Sequence, residues 1–268
     1  MLANLVQFYL ARFRINLAVQ FQYRVAMGIW MLGLILEPLV YLCVWTSVAK
    51  TQGGTVGGFG PGDFAAYYLI MLLVHHACLI WHMFEYDFII RQGILSNRLL
   101  RPIHPIHGDI SENITYKVFM LVILLPAFGL LWYLFKPEFH TTVGAVALFP
   151  FALLMAGALA FFAGWALAMA AFWTNRTAAV NQAWFVAMFF FSGQAAPLSL
   201  LPPWMQDVAF YLPFRWMYSF PIELCLGRLD TRKILHGFGT QALWILGFLI
   251  IMNFAWRSGI KRYSASGG

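Results

Sequence analysis

Apolar residues run together along this chain instead of alternating with polar ones. Six stretches, at about 25–48, 64–84, 114–135, 143–172, 178–196 and 240–256, are long enough to cross ~30 Å of hydrocarbon as helices, which takes about 20 residues. The fourth is longer than needed, so it is expected to tilt or to project beyond the bilayer. The alternating ten-residue segments of an outer-membrane barrel are missing. Lipid offers no water to an open backbone, so the pattern predicts an all-α polytopic membrane protein with six transmembrane helices. Ahead of the first span, residues 1–24 mix Phe8, Arg12 and Arg14 with Leu5, Phe13, Leu17 and Phe21. That mixture suits an amphipathic interfacial helix, apolar side down and arginines up. The alternative is a tail that runs into the first span. It is too long and mixed for a signal-peptide n-region, and no small-residue cleavage site follows.

Composition strengthens the membrane assignment. The 268 residues are 62% hydrophobic and 10% charged, against about 45–50% and about 25% for soluble domains. This excludes a water-soluble globule and a disordered chain alike. Cys43, Cys78 and Cys225 are odd in number and widely spaced, which fits apolar packing and neither a zinc site nor a disulfide framework.

The net charge of +7 would suggest nucleic acid in a soluble protein. With the N-terminus inside, however, 11 of the 17 Lys and Arg residues fall on the inner side and 6 on the outer. The positive-inside rule therefore places both termini in the cytoplasm, and no nucleic-acid partner is needed.

Three segments outside the spans stand out. The outer loop Thr51–Gly62 is glycine-rich, but no Gly-Lys-Ser/Thr follows it, so it is a linker and not a phosphate cradle. The inner loop, residues 85–113, opens with an amphipathic helix: Ile89, Ile90, Ile94, Leu95, Leu99 and Leu100 form a stripe, Arg91, Arg98 and Arg101 take the other sides, and Pro102 ends it. It suits either a headgroup surface or the groove of a soluble partner. The outer segment, residues 197–239, is apolar yet broken by five prolines. Two short helices dipping back from the outer face, at roughly 203–211 and 216–226, are the expected solution.

These two segments resemble the permease subunits of ABC-2 type (type V exporter-like) transporters, closest to the bacterial stand-alone six-span permeases. The loop pattern I-R-x-G-x-L-x-x-x-L-L-R-P is present from Ile90 to Pro102. The outer signature matches at Gly193–Pro197, Leu201–Trp204, Leu212–Phe214 and Pro221–Gly227. The resemblance covers essentially the whole chain. It implies an interfacial helix at 1–24 and a six-span domain at 25–268, in the bacterial cytoplasmic (inner) membrane. It also implies a non-enzymatic permease subunit with no cofactor of its own. The partners would be two ABC ATPase subunits that bind ATP and Mg, a second permease, identical or related, and membrane lipids.

By the same resemblance, the loop helix is a coupling helix that uses Glu85, Asp87, Arg91, Gly93, Leu95, Arg98 and Arg101 against the ATPase. The outer helices form a gate around Pro203, Trp204, Pro213, Phe214 and Glu223. Importer permeases carry E-A-A-x-x-x-G, whereas here Tyr86 and Asp87 follow Glu85 and Gly93 comes eight residues after it. The importer is the alternative within transport, and a non-transporting scaffold or sensor is the alternative outside it.

Glu37, midway along the first span and next to Pro38, is expected to line the pathway or a subunit interface, or to be bonded to a neighbouring helix. Asn181 and Gln182, with Asn175, either join helices or face a cavity. His75 and His82, seven apart, are expected to share a face with His76 nearby, but no i, i+4 ligand pair exists and no metal site is assigned. Glu223, Arg215, Arg228 and Asp230 are expected to pair among themselves.

Overall fold

The computed structural model describes residues 2–174 and 177–263, with side chains from residue 5 onward. Its helices are α1 Leu2–Gln22, α2 Arg24–Thr51, α3 Pro61–Cys78, α4 His82–Arg91, α5 Ile94–Leu99, α6 Pro105–Phe135, α7 Val143–Ala168, α8 Thr177–Phe191, α9 Pro203–Tyr211, α10 Pro213–Met217, α11 Ser219–Cys225 and α12 Thr231–Gly259. A 3-10 turn, Met169–Phe172, prolongs α7. No strand occurs among the described residues.

Local chemistry sets many of the helix starts. Prolines occupy the first turn of α3, α6, α9 and α10, where the missing N–H is not needed. Thr142 caps α7 by accepting from the Ala145 amide, and Asp230 caps α12 by accepting from the Lys233 amide at 2.8 Å.

Five helical stretches are long and apolar enough to cross a membrane, and α8 is a shorter apolar helix. At 1.5 Å per residue, its 15 residues reach only about 22 Å. The sequence predicts a span to residue 196, but the helix stops at Phe191 because the chain turns at Gly193, whose φ is +91°. A Cβ there would lie 2.6 Å from the Tyr67 hydroxyl, which donates to the Gly193 carbonyl at 2.8 Å. Tyr68 Oη and Trp45 Nε1 both donate to the Ala195 carbonyl. Irregular backbone survives at this depth because neighbouring helices satisfy it.

The centre of the bundle is α3, buried nearly all round and packed on α2, α7 and α11. On α2, α6 and α12 large apolar side chains such as Trp30, Val122 and Ile250 remain exposed. Spread over the outside of a bundle, such surface belongs against lipid. α1 lies along α6, with the Tyr9 hydroxyl 2.8 Å from His107 Nδ1 and Phe21 edge-on to Phe119. Arg12, Asn16 and Gln20 turn inward, the last two buried, while Val6, Leu10 and Val19 are exposed. Of the two arginines expected to point away together, only Arg14 is exposed.

Two predicted helices are broken. The second span stops at Cys78, and the chain resumes as α4 after a non-helical Leu79–Trp81, whose Leu79 carbonyl accepts from Asn113 Nδ2. The amphipathic loop helix becomes α4 and α5, separated at Gly93, where φ is +68°. The first predicted outer helix appears as α9, and the second divides at Tyr218 into α10 and α11.

Candidate functional site: a helical stub tied to the bundle through Asp109

One carboxylate joins four elements. Asp109, near the start of α6, is 1% exposed. Its Oδ1 accepts from Arg98 Nη1 of α5 at 2.8 Å. Its Oδ2 accepts from the Tyr86 hydroxyl of α4 at 2.6 Å and from Trp165 Nε1 of α7 at 3.0 Å. A buried carboxylate is costly unless it is paired and hydrogen-bonded, and here three donors, one of them a cation, engage both of its oxygens. The Arg98 guanidinium also lies 5.9 Å from the centroid of the Tyr86 ring. The apolar side of the stub, formed by Met83, Tyr86, Ile89 and Leu95, is buried against Trp165, Met169 and their neighbours.

Two further tethers reach the stub from distant parts of the chain. Ser96 bonds the Tyr263 hydroxyl, 2.9 Å from its Oγ and 3.2 Å from its amide nitrogen. Asn181 of α8, fully buried, donates to the Met83 carbonyl at 3.0 Å. The sequence left Asn181 between joining helices and facing a cavity; it joins them.

The residues assigned to coupling separate into two sets. Leu95 and Arg98 face the bundle. Arg91 and Arg101 are exposed, and Arg91 is engaged with Asp87 one turn away at 2.6 Å. Gly93 forms the turn with no heavy atom near a would-be Cβ. Glu85 is half-buried and lies in the electrostatic field of Asp109, Glu112 and Arg98. Beside the stub, Arg12, Arg98 and Arg101 line a cleft of about 260 Å³ together with Phe8, Asn97 and His104.

The three histidines do not gather. The break at Leu79–Trp81 destroys the seven-residue register between His75 and His82. His75 meets Tyr218, His76 Nε2 lies 2.9 Å from the Lys117 carbonyl oxygen, and His82 stacks on Trp81. His82, Asp109 and Glu112 do place ligand atoms within 4.8 Å of one another. Asp109 already accepts from three donors, one of them the Arg98 cation, which makes the group a poor cation cage, and neither ring nitrogen of His82 joins the tie.

Glu37 and Gln182 are exposed on α2 and α8, helices that meet through Tyr41 and Phe189. Asn175 lies outside the described residues. At the other end of the bundle, Trp204 of α9 is exposed, Pro203 starts that helix, and Pro213 and Phe214 are buried. Glu223 accepts from Ser219 Oγ at 2.6 Å and faces Arg215 at 3.7 Å. The expected charge group is wider than the sequence suggested. Arg228 pairs with Asp63 and covers the Phe59 ring at 3.5 Å, while Asp230 faces Lys233.

Nothing in the sequence marks Asp109 or Trp165, and Tyr86 stands out only as a departure from the importer loop pattern. The one available signal was an acid eleven residues beyond Arg98, across a turn bounded by Pro102 and Pro105.

No curated protein matches the chain. A family model described as "ABC-2 family transporter protein" matches residues 34–267, which include every helix from α3 onward and most of α2. Matched over most of its length and folded as an all-α multi-pass bundle, the chain belongs to the ABC-2 transporter family.

Proposed function

We propose that this chain is the transmembrane subunit of an ATP-driven exporter, with both termini in the cytoplasm of a bacterial cell and α4–α5 gripped by a separate ATPase. The observation that carries this reading is the Asp109 tie. The stub is fastened to α6 and α7 on one side, while Phe88, Arg91, Leu100 and Arg101 are exposed on the other. A push on the exposed side therefore reaches two long helices through hydrogen bonds that do not have to form first. The cleft lined by Arg12, Arg98 and Arg101 suits an acidic side chain of such a partner.

Two permease subunits, identical or related, would work with two ATPases that bind ATP and Mg. Exposed Glu37 supports a second permease or a wet pathway at the α2–α8 face, because an ionisable group at mid-span costs about 2.5–3.5 kcal/mol against lipid. At the outer end, α9, α10 and α11 would narrow the exit, with Pro203, Trp204, Pro213, Phe214 and Glu223 among the residues forming it.

Purification of the tagged chain from native membranes tests the proposal. A nucleotide hydrolase is expected to co-purify with vanadate-sensitive activity. The double variant Arg91→Glu with Arg101→Glu is expected to lose it while still inserting. Absence of any attached hydrolase from the wild-type preparation contradicts the transporter reading and favours a scaffold. A co-purifying solute-binding protein would favour import.

A further inference from the structure

A groove of about 460 Å³ runs along the outside of the bundle between α3, α6 and α7, well within the ~300–1,000 Å³ range of ligand sites. Its floor is low because small residues pack there: a Cβ on Gly157 would meet the Ala77 carbonyl at 2.8 Å. Leu73, Leu121, Leu153 and Leu154 line the part beyond Lys117 toward the middle of α6. Lys117 stands beside His76 and Asn113, and Ile110, Ile114, Phe161 and Phe162 line the part on its other side. The polar groups next to Lys117 are engaged elsewhere. Asn113 donates to Leu79, and His76 Nε2 contacts the Lys117 backbone carbonyl. Among the described residues no carboxylate pairs with the Lys117 ammonium; the ion pairs involve other residues.

The depth of Lys117 follows from α6 itself. Residues 118–135 are 18 residues without a charge, about 27 Å of helix and close to the hydrocarbon thickness. Lys117 therefore stands where that run begins, partly buried, with its side chain lining the groove. The groove continues from it into the hydrocarbon. Lys117 is the one cation of the lining, and apolar side chains flank it on both sides.

We propose that this groove binds one anionic phospholipid, its phosphate on Lys117 and an acyl chain lying against Leu121, Leu153, Leu154 and Ala158. Charge complementarity chooses the occupant: a neutral chain would leave the ammonium unpaired, and a soluble anion would leave the apolar length unfilled. The site needs only a membrane location and does not depend on an ATPase partner.

Native mass spectrometry of the purified chain, titrated with phosphatidylglycerol or with phosphatidylcholine of the same acyl chains, tests the proposal. Wild type is expected to retain one phosphatidylglycerol per chain, preferred about fivefold, the ratio that ~1 kcal/mol per cation near a membrane surface gives. Lys117→Arg should keep that preference and Lys117→Gln should lose it. Ala158→Leu, which fills the groove, should weaken both lipids. Thermal unfolding of each variant confirms that it is folded. Equal binding of the two lipids by wild type, or an unchanged preference in Lys117→Gln, overturns the proposal. So does Ala158→Leu binding like wild type, because the groove would then not be the site.

Discussion

Replacing Asp109 with alanine would orphan the Arg98, Tyr86 and Trp165 donors at once, two of them in a region closed to water. A buried donor without a partner costs about 1–3 kcal/mol, so Asp109→Ala is expected to lower stability by about 3 kcal/mol or more in reversible unfolding from detergent. Arg91→Ala should change it by at most about 0.5 kcal/mol, because Arg91 is half exposed and its pair with Asp87 is a surface one. Equal losses would mean that Asp109 is not the tie. The sequence directed attention to the arginines, which orientation and family pattern both single out. It was silent on which of them points inward, since Arg91 and Arg98 differ only in what the fold places opposite them. Lys117 was read only as a positive charge, because the groove beside it is formed by residues of three helices.

Helix positions were legible where apolar length decides them, and helix ends were not where distant side chains decide them. The five long stretches contain the hydrophobic runs and α9 falls where the prolines place it, but α6 and α12 each begin nine residues before their runs, within segments the sequence assigned to loops. The early stop of α8 has no local cause that hydropathy registers. It depends on Tyr67, Tyr68 and Trp45, more than a hundred residues away, supplying donors to the Gly193 and Ala195 carbonyls. The division of the stub into α4 and α5 is more local and rests on Gly93 in the left-handed region. Gly93→Ala is expected to cost about 1 kcal/mol from backbone strain alone, because no neighbour crowds the site, and Gly93→Asn should cost less. Thermal unfolding of the two variants checks the order; Ala as mild as Asn would remove the strain argument. Tyr263→Phe removes the partner of Ser96 Oγ and one of the two acceptors of the Ser96 amide, the other being the Gly93 carbonyl, so hydrogen exchange should rise in residues 94–99 while α3 stays protected. Uniform acceleration in both would mean that the tether stabilises the bundle as a whole.

The bundle as a whole has an outside suited to lipid, interrupted by exposed Glu37 on α2 and Gln182 on α8, and a stub at one end made of α4 and α5. The multi-pass class was evident from composition, and the family from the order of its motifs. What the sequence could not supply was the internal route: stub to Asp109, Asp109 to α6 and α7. That route gives the proposed coupling a physical form, since hydrogen-bonded rigid elements move together without a separate rearrangement. Photo-crosslinking in native membranes tests it most directly, with a benzophenone amino acid at Leu100, which is 84% exposed on the stub, and a control at Val122, 73% exposed within α6. The predicted result is an adduct with a nucleotide-hydrolysing subunit from position 100 and none from position 122. Adducts from position 100 with lipid alone, or labelling of that position by a membrane-impermeant reagent on intact cells, would contradict it.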